Sequence, residues 1–223
     1  MVGVIFDFNG TLFYDSDKQE KAWQIFSEKV FRRTITQEEF RRFIHGRSND
    51  FILQYLSETP LGKDQTDRYA EEKEAIYRDL CDADPLHSRL TWDVKLLLSE
   101  LRDRRIPRTI ATASQKTNVD YYIKKFHLEK WFDVDKIVYN DGTVPGKPNP
   151  DLYIRAAKAI GMEPQNCIVF EDAVSGIQSA RNAGIGKIIA IVPKGQESLF
   201  EQLPGVYDVI SAFHQFDRFL LRE

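Results

Sequence analysis

Short apolar stretches of the sequence end in polar residues whose types would suit phosphoryl transfer. The first stretch, residues 2–6, runs into Asp7 and Asn9, and a later one ends in a pair of acids. The side chains that could act together are Asp7, Asn9, Thr112, Lys147, Glu171 and Asp172. A carboxylate can attack phosphorus only if its charge is offset, and an all-oxygen set of ligands suits Mg²⁺. Thr112 and Lys147 would hold phosphoryl oxygens, one as a neutral donor and the other as a point charge.

These side chains can converge only if the stretches before them are strands of one parallel sheet. Apolar runs alternate with helical periodicity after residue 90, which predicts an α/β fold with a doubly wound parallel sheet. The predicted strands are residues 2–6, 108–112, 137–139, 168–170, 187–192 and 206–210, and the predicted helices are residues 91–101, 118–126, 150–160 and 174–183. Parallel strands present functional groups at their carboxyl ends, so these side chains should share one crevice.

Residues 15–84 interrupt this alternation and are rich in charged residues and helix formers. Apolar and aromatic side chains recur there at helical spacing, which is typical of a helical core. They are Trp23, Phe26, Val30, Phe40, Phe43, Ile44, Phe51 and Tyr55. The segment is therefore predicted to be an inserted α-helical cap domain. The core domain would comprise residues 1–14 and 85–223, with linkers at residues 15–16 and 82–85.

Composition and charge narrow the classes of partner. Of the 223 residues, 42% are hydrophobic, which predicts a sizeable core. The net charge of −3 gives no reason to expect nucleic acid or an anionic membrane as a partner. Cys81 and Cys167 are far apart and predict neither a disulfide scaffold nor a zinc site. We see neither a signal peptide nor a run of about 20 apolar residues, so we expect a cytoplasmic protein, by default a monomer.

Four stretches, taken in order, resemble the four motifs of the haloacid dehalogenase superfamily. They are residues 7–11 (Asp-Phe-Asn-Gly-Thr), 110–114 (Ile-Ala-Thr-Ala-Ser), 146–151 (Gly-Lys-Pro-Asn-Pro-Asp) and 170–180, which begin Phe-Glu-Asp-Ala-Val-Ser-Gly. The resemblance covers the whole chain and is greatest to the β-phosphoglucomutase-like phosphatases, which carry a helical cap between the first two motifs.

The resemblance implies a role for each candidate residue. Asp7 would be the nucleophile that forms an aspartyl phosphate. The catalytic set would be Asp7, Asn9, Thr112 and Lys147, the substrate-binding set Gly46, Arg47, Thr112, Ala113 and Lys147, and the Mg²⁺ ligands Asp7, the backbone carbonyl of Asn9, Glu171 and Asp172. A carbonyl ligand is supplied by Asn as well as by Asp, so metal binding should survive the one departure from the motif.

That departure is Asn9, which stands where the family pattern has a second Asp that protonates the leaving oxygen. Such general acid–base help is worth about 10²–10⁴ in rate, and an amide does not deliver a proton near neutral pH. Three hypotheses follow: a slow or leaving-group-selective phosphatase, a phosphate-ester binding protein without turnover, or an Asn that was introduced or deamidates to Asp. On the first hypothesis, Asn9→Asp should raise turnover on ordinary monoesters.

The loop at Gly46 and Arg47 resembles the substrate loop of such caps. Arg47 would reach a second anionic group of the substrate, although an ion pair with a nearby acid is an equal alternative. Asn49 stands where the phosphonate-cleaving relatives have a Schiff-base lysine, and residues 18–20 lack the histidine of the mutases. The sequence thus favours an Mg²⁺-dependent phosphatase acting on small phosphorylated metabolites. A β-phosphoglucomutase-type phosphotransferase is the alternative.

Overall fold

The computed structural model describes residues 2–222, and these contain one six-stranded sheet in which all neighbouring strands are parallel. The strands are β1 Gly3–Phe6, β2 Arg108–Gln115, β3 Val138–Asn140, β4 Cys167–Glu171, β5 Lys187–Ile191 and β6 Val206–Ile210. Their order across the sheet is β3-β2-β1-β4-β5-β6. The predicted α/β fold with a doubly wound parallel sheet is confirmed.

α-Helices make up most of the remaining regular structure. They are α1 Ser16–Phe31, α2 Gln37–Glu39, α3 Asn49–Leu56, α4 Lys63–Ala83, α5 Val94–Asp103, α6 Lys116–Phe126, α7 Asp151–Ala159, α8 Val174–Asn182 and α9 Glu197–Glu201. A π-helical turn, Phe40–Ile44, continues directly from α2. Within residues 2–222 we find no helix that combines the length and apolar character needed to span a bilayer.

Apolar side chains on both faces of the sheet hold helices against it. On one face, a cluster joins the sheet to α5 and α6, and on the other a second cluster joins it to α7 and α8. Since both faces are covered, the central strands read as continuous apolar runs rather than alternating ones. All four residues of β1 are buried, and Phe6 stacks on Phe170 of β4 with 5.1 Å between ring centroids.

The central strand β1 fixes where a site can form. It pairs with β2 on one side and with β4 on the other. Strands β2 and β3 therefore extend the sheet in one direction from β1, and strands β4 to β6 extend it in the other. Such a reversal opens a crevice at the carboxyl ends of the strands. Asp7 follows β1 at this point, and β2 and β4 carry Thr112 and Glu171 near their ends.

Helices α1, α3 and α4 and the π-helical turn Phe40–Ile44 pack into a third apolar cluster, and we call residues 15–84 the cap. The predicted stripe residues lie in or against this cluster, with one exception. Phe51 is 42% exposed, because its ring lies under the Arg47 guanidinium at 4.7 Å instead of packing inward. The second linker is also shorter than expected, since α4 continues to Ala83. Independent folding of the cap stays a prediction.

Candidate active site

Asp7 sits at the carboxyl end of β1, where its backbone N–H donates to the carbonyl of Phe170 at 3.0 Å. Its side chain is buried, and Oδ1 accepts a hydrogen bond from Lys147 Nζ at 2.5 Å. Burial raises the pKa of Asp7 to about 7, with the Lys147 ammonium opposing the rise and the Glu171 carboxylate adding to it. A buried carboxyl that lacks enough positive charge nearby marks a functional site more often than a structural one.

Lys147 links two strand ends from a turn that precedes α7. Besides Asp7, its Nζ contacts Glu171 Oε1 at 2.6 Å, and both side chains are almost wholly inaccessible to solvent. Burial acts to lower the pKa of Lys147, but the two carboxylates outweigh it and raise that pKa above its ordinary value. The turn thus delivers a permanent cation to the crevice.

Both oxygens of Glu171 are already occupied. Oε1 accepts from Lys147 and from the Tyr153 hydroxyl at 3.1 Å, and Oε2 accepts from the backbone N–H of Ala173 at 2.8 Å. These contacts suit a residue that orients Lys147 at least as well as they suit a direct metal ligand. The role of Glu171 as a ligand stays a prediction.

Asp172 packs directly over Gly10 of the first motif. Gly10 has a φ of +81°, and a Cβ there would lie 2.0 Å from Asp172 Oδ2, so any side chain would displace the carboxylate. Thr11 Oγ1 donates to the other oxygen, Oδ1, at 3.0 Å. Burial, with the charges of Glu171 and Asp7, raises the pKa of Asp172 well above its ordinary value.

Divalent-metal binding can be judged from these donors. Three carboxyl groups, those of Asp7, Glu171 and Asp172, share one ammonium, so the crevice has more negative than positive charge. Within residues 2–222, no group of three His, Cys, Asp or Glu side chains could hold a metal ion by itself. Two carboxylates, the Asn9 carbonyl and oxygens from water and phosphate would make a complete set, which is how Mg²⁺ is commonly held. The residues present therefore fit Mg²⁺.

Asn9 has its whole side chain engaged. Nδ2 donates to Asp15 Oδ2 at 2.7 Å, to the Tyr122 hydroxyl at 3.0 Å and, more weakly, to the Tyr77 hydroxyl at 3.3 Å. Oδ1 accepts from Ser114 Oγ at 2.9 Å. A carboxylate can only accept hydrogen bonds, so Asp15 fixes which end of the amide carries the nitrogen.

The predicted residues of β2 and of the cap loop meet around one small cavity. Its volume is about 100 Å³, and its walls include Thr112 and Ala113 on the core side and Gly46 and Arg47 on the cap side. The same cavity is lined by Asp7, Asn9, Glu171 and Asp172. Lys147 lies behind the wall and reaches the site through Asp7.

The cap loop is closed onto the core. Gly46 has a φ of +69°, and a Cβ there would lie 2.5 Å from Ser175 Oγ, so only glycine lets the two loops come this near. Arg47 Nη1 donates to the carbonyl of Lys147 at 3.3 Å. Among residues 2–222, Arg47 has no carboxylate partner, and burial lowers its pKa. A guanidinium beside the cavity without a local anion is suited to one on a ligand.

Several residues of the site were not foreseen from the sequence. Asp15, read as a linker residue, is fully buried and lines the cavity. Lys73 of α4 also lines it, with its Nζ 2.6 Å from Gln19 Oε1 and 3.0 Å from Glu74 Oε1. No local pattern marks either residue, because each reaches the crevice only once the cap is folded against the core.

A known family and several known proteins resemble this chain. The family model for haloacid dehalogenase-like hydrolases matches residues 1–184. The sequence is 29% identical over 196 residues, 86% of each chain, to a phosphorylated carbohydrates phosphatase of Thermotoga maritima. It is 28% identical over 193 residues to a β-phosphoglucomutase of Bacillus subtilis, covering 83% of this chain and 81% of that protein.

A solved structure extends the likeness to the whole fold. The crystal structure of a HAD hydrolase (family IA, variant 3) from Entamoeba histolytica superposes with a TM-score of 0.88 at 35% identity, covering 100% of both chains. The chain therefore belongs to the haloacid dehalogenase-like hydrolases and, within them, to the branch that resembles β-phosphoglucomutase.

Proposed function

We propose that this protein is an Mg²⁺-dependent phosphatase that hydrolyses small phosphorylated metabolites through an aspartyl phosphate on Asp7. The observation that carries the proposal is the buried Lys147 ammonium, which holds Asp7 and Glu171 at 2.5 and 2.6 Å at the wall of the cavity. Within residues 2–222, no donor is hydrogen-bonded to Asp7 Oδ2, which leaves that oxygen available as a nucleophile. The phosphatase relative described above supports the same class of substrate.

The reaction would proceed in two displacements at phosphorus. Asp7 Oδ2 attacks, the bond from phosphorus to the ester oxygen breaks, and the leaving group departs with the electron pair. Thr112, which lines the cavity, would hold a phosphoryl oxygen as negative charge moves across the phosphoryl group, and the Lys147 ammonium would act from behind the wall, where it contacts Asp7 and Glu171. Water then attacks the same phosphorus, which releases inorganic phosphate and restores the Asp7 carboxylate. Bound Mg²⁺ would supply positive charge that offsets the repulsion between Asp7 and the phosphate.

Asn9 sets which leaving groups this site can expel. An alkoxide leaving group needs a proton, and the Asn9 amide has none to give near neutral pH. Its nitrogen is moreover committed to Asp15 and Tyr122 rather than free to orient the ester oxygen. The leaving groups of acyl and aryl phosphates depart without protonation, so the missing acid should slow the hydrolysis of these substrates least. The hydrolysis of sugar phosphates should lose most of the about 10²–10⁴-fold rate enhancement that a general acid provides.

The cap would have to open for turnover. A cavity of about 100 Å³ is smaller than the roughly 300–1,000 Å³ of ordinary small-molecule sites, so the closed arrangement encloses phosphate-sized space only. Opening would separate Gly46 from Ser175 and Arg47 from the Lys147 carbonyl. Closing over a substrate would exclude water from the first displacement.

Two alternatives make different predictions. A mutase must protonate and deprotonate sugar hydroxyls repeatedly, so the loss of the acid at position 9 would cost it twice, even though the cap residues Glu20 and His45 line the cavity. A phosphate-ester binding protein without turnover is favoured by the full commitment of the Asn9 side chain to its neighbours. The second alternative is therefore the one to test.

Phosphate release from an acyl phosphate, p-nitrophenyl phosphate and a hexose phosphate, with Mg²⁺ and with EDTA, tests the proposal. We expect Mg²⁺-dependent release that is fastest for the acyl phosphate and is abolished by Asp7→Asn. Asp135→Asn, which changes an exposed acid, is the control and should be as active as the wild type. Tight Mg²⁺-dependent binding without release of phosphate from any of the three would establish the binding protein instead.

A further inference from the structure

A histidine–glutamate pair lies on the cap side of the cavity. His45 and Glu20 both line it, and His45 Nε2 is 3.0 Å from Glu20 Oε1. Since a carboxylate can only accept hydrogen bonds, Nε2 carries a hydrogen and donates it to Glu20. The other ring nitrogen, Nδ1, has no hydrogen-bond partner among residues 2–222. Nδ1 is therefore the nitrogen at which this imidazole can exchange a proton with a ligand.

Other contacts hold both members of the pair in place. The second oxygen of Glu20, Oε2, accepts from Gln37 Nε2 at 3.3 Å. The His45 ring stacks on Phe40 with 6.0 Å between the ring centroids, and the backbone N–H of His45 donates to the Phe40 carbonyl at 2.9 Å. An imidazole that a carboxylate orients through one nitrogen is a common form of general acid–base group in enzymes.

The closed cap holds this pair against the catalytic motifs. The carbonyl of His45 accepts from Ser175 Oγ at 3.3 Å. A Cβ on the next residue, Gly46, would lie 2.7 Å from the Cβ of Ala173, which directly follows Asp172 in the chain. The pair is therefore beside the reacting groups while the cap is closed, and it would leave them when the cap opens.

The other titratable side chains of the cavity have other partners or roles. Three belong to the nucleophile and the candidate metal site, and two are cations; the set is Asp7, Asp15, Arg47, Lys73, Glu74, Glu171 and Asp172. Asp15 accepts from the Tyr77 hydroxyl and the backbone N–H of Gly10. Glu74 accepts from Lys73 on one oxygen and from Asn118 on the other. Only His45 lines the cavity with a titratable atom that has no partner among residues 2–222.

We propose that His45 is the proton donor to the leaving group and that Glu20 is the positioning residue for its ring, an inference that rests on the proposed phosphatase function. In the first displacement Asp7 Oδ2 bonds to phosphorus, the bond to the ester oxygen breaks, and that oxygen keeps the electron pair and takes the proton from His45 Nδ1. In the second, Nδ1 takes a proton from the attacking water as the bond between Asp7 and phosphorus breaks. The histidine thus returns to its protonated form.

This donation would recover only part of what the amide at position 9 loses. The ring of His45 belongs to the cap, so every transfer depends on closure of the cap. We expect it to contribute about tenfold to the hydrolysis of sugar phosphates, less than the about 10²–10⁴-fold of a well-placed acid.

The test compares kcat and KM for a hexose phosphate and an acyl phosphate, with Mg²⁺, in wild type and His45→Gln. We expect kcat for the hexose phosphate to fall about tenfold, with its KM and the kcat for the acyl phosphate changed by less than about twofold, because an acyl leaving group needs no proton. Glu20→Gln should cause a smaller loss with the same dependence on the leaving group. His87→Gln is the matched control and should resemble wild type, since His87 is an exposed histidine with its Nδ1 2.9 Å from Asp84 Oδ1.

Two further measurements separate proton transfer from a structural role. With an acid restored by Asn9→Asp, the donor on the cap becomes redundant, so adding His45→Gln should then lower kcat for the hexose phosphate by about twofold or less. A histidine that only stabilises the closed cap would cost the same in both backgrounds. In His45→Ala, added imidazole should raise kcat for the hexose phosphate and not for the acyl phosphate.

The outcomes distinguish this inference from the proposed function. If wild type hydrolyses the acyl phosphate but His45→Gln slows both substrates equally, or slows neither, His45 is not the proton donor and the phosphatase proposal stands. If wild type releases no phosphate from either substrate, both proposals are overturned.

Discussion

Replacing Lys147 by Met tests whether one buried ammonium holds the crevice together. Met keeps much of the length and apolar stem of lysine but leaves Asp7 and Glu171 buried without their cation, at sites where Nζ now lies 2.5 and 2.6 Å away. Removing one partner of a buried ion pair costs about 3–5 kcal/mol. In a chain of 223 residues each kcal/mol shifts the Tm by about 2–4 °C, so we expect Lys147→Met to lower it by about 6–20 °C.

The assay is thermal unfolding followed by circular dichroism without added metal, so that only the protein's own charges contribute. Lys116→Met is the matched control: its ion pair with Asp120, at 2.7 Å, joins side chains that are 63% and 49% exposed. An exposed i,i+4 pair contributes about 0.3–0.5 kcal/mol, so the control should lose at most about 2 °C. If the two variants unfold within about 2 °C of each other, the Lys147 bridge does not stabilise the fold and our account of the crevice is wrong.

Three further variants test other parts of the structure. Gly10→Ala should lower the Tm more than Gly142→Ala does. Both glycines have a positive φ, but only at position 10 would the new Cβ strike Asp172. Phosphate release should be abolished in Gly10→Ala and retained in Gly142→Ala. For Glu39→Gln, we expect the Tm to fall less than that of the wild type as the pH is lowered from 4.5 towards 2. Hydrogen bonds from Thr36 lower the pKa of Glu39 from 4.5 to about 2, so the stabilising effect of this carboxylate is complete above pH 4.5 and disappears towards pH 2. Arg47→Met should raise the steady-state KM by about 10–100-fold for bisphosphates and much less for monophosphates, because it removes one charge-assisted contact to the second phosphate. Equal changes in KM for the two classes of substrate would show that Arg47 does not bind a second anion.

The fold could be predicted because apolar runs and helical periodicity are local signals. The strand at residues 206–210 was predicted to the residue, and the other strands within three. The largest error is at β2, predicted to end at Thr112 but extending to Gln115. There the backbone of Gln115 still pairs with Asn140 of β3, and backbone pairing does not require an apolar side chain. Patterns of hydrophobicity therefore shorten a strand where it enters a polar site.

The sequence predicts only those site residues that lie within the four motifs or in the cap loop. Motif order brought Asp7, Thr112, Glu171 and Asp172 to one cavity, as expected for strand ends of a parallel sheet. The contacts that decide what Asn9 can do were not foreseen, because its partners Tyr77 and Tyr122 lie 68 and 113 residues away along the chain. The contact with Tyr77 depends on how the cap closes on the core and the contact with Tyr122 on how α6 packs against the sheet, and no local pattern encodes either.

Because Asp15 lies beside it, the amide at position 9 changes the ability of the site to protonate a leaving group more than it changes the charge of the site. A chain with Asp at position 9 and a neutral residue at position 15 would carry the same number of acids around the crevice as this one. The electrostatic field that would attract Mg²⁺ and oppose the phosphate is therefore largely kept, but the acid at position 15 is not placed to replace the missing proton donor, because its oxygens accept hydrogen bonds from the Tyr77 hydroxyl and the Gly10 N–H. We therefore predict that metal binding, phosphate binding and leaving-group protonation are separable properties in this protein. A loss of turnover on sugar phosphates would not by itself argue against the metal site or against the nucleophile Asp7.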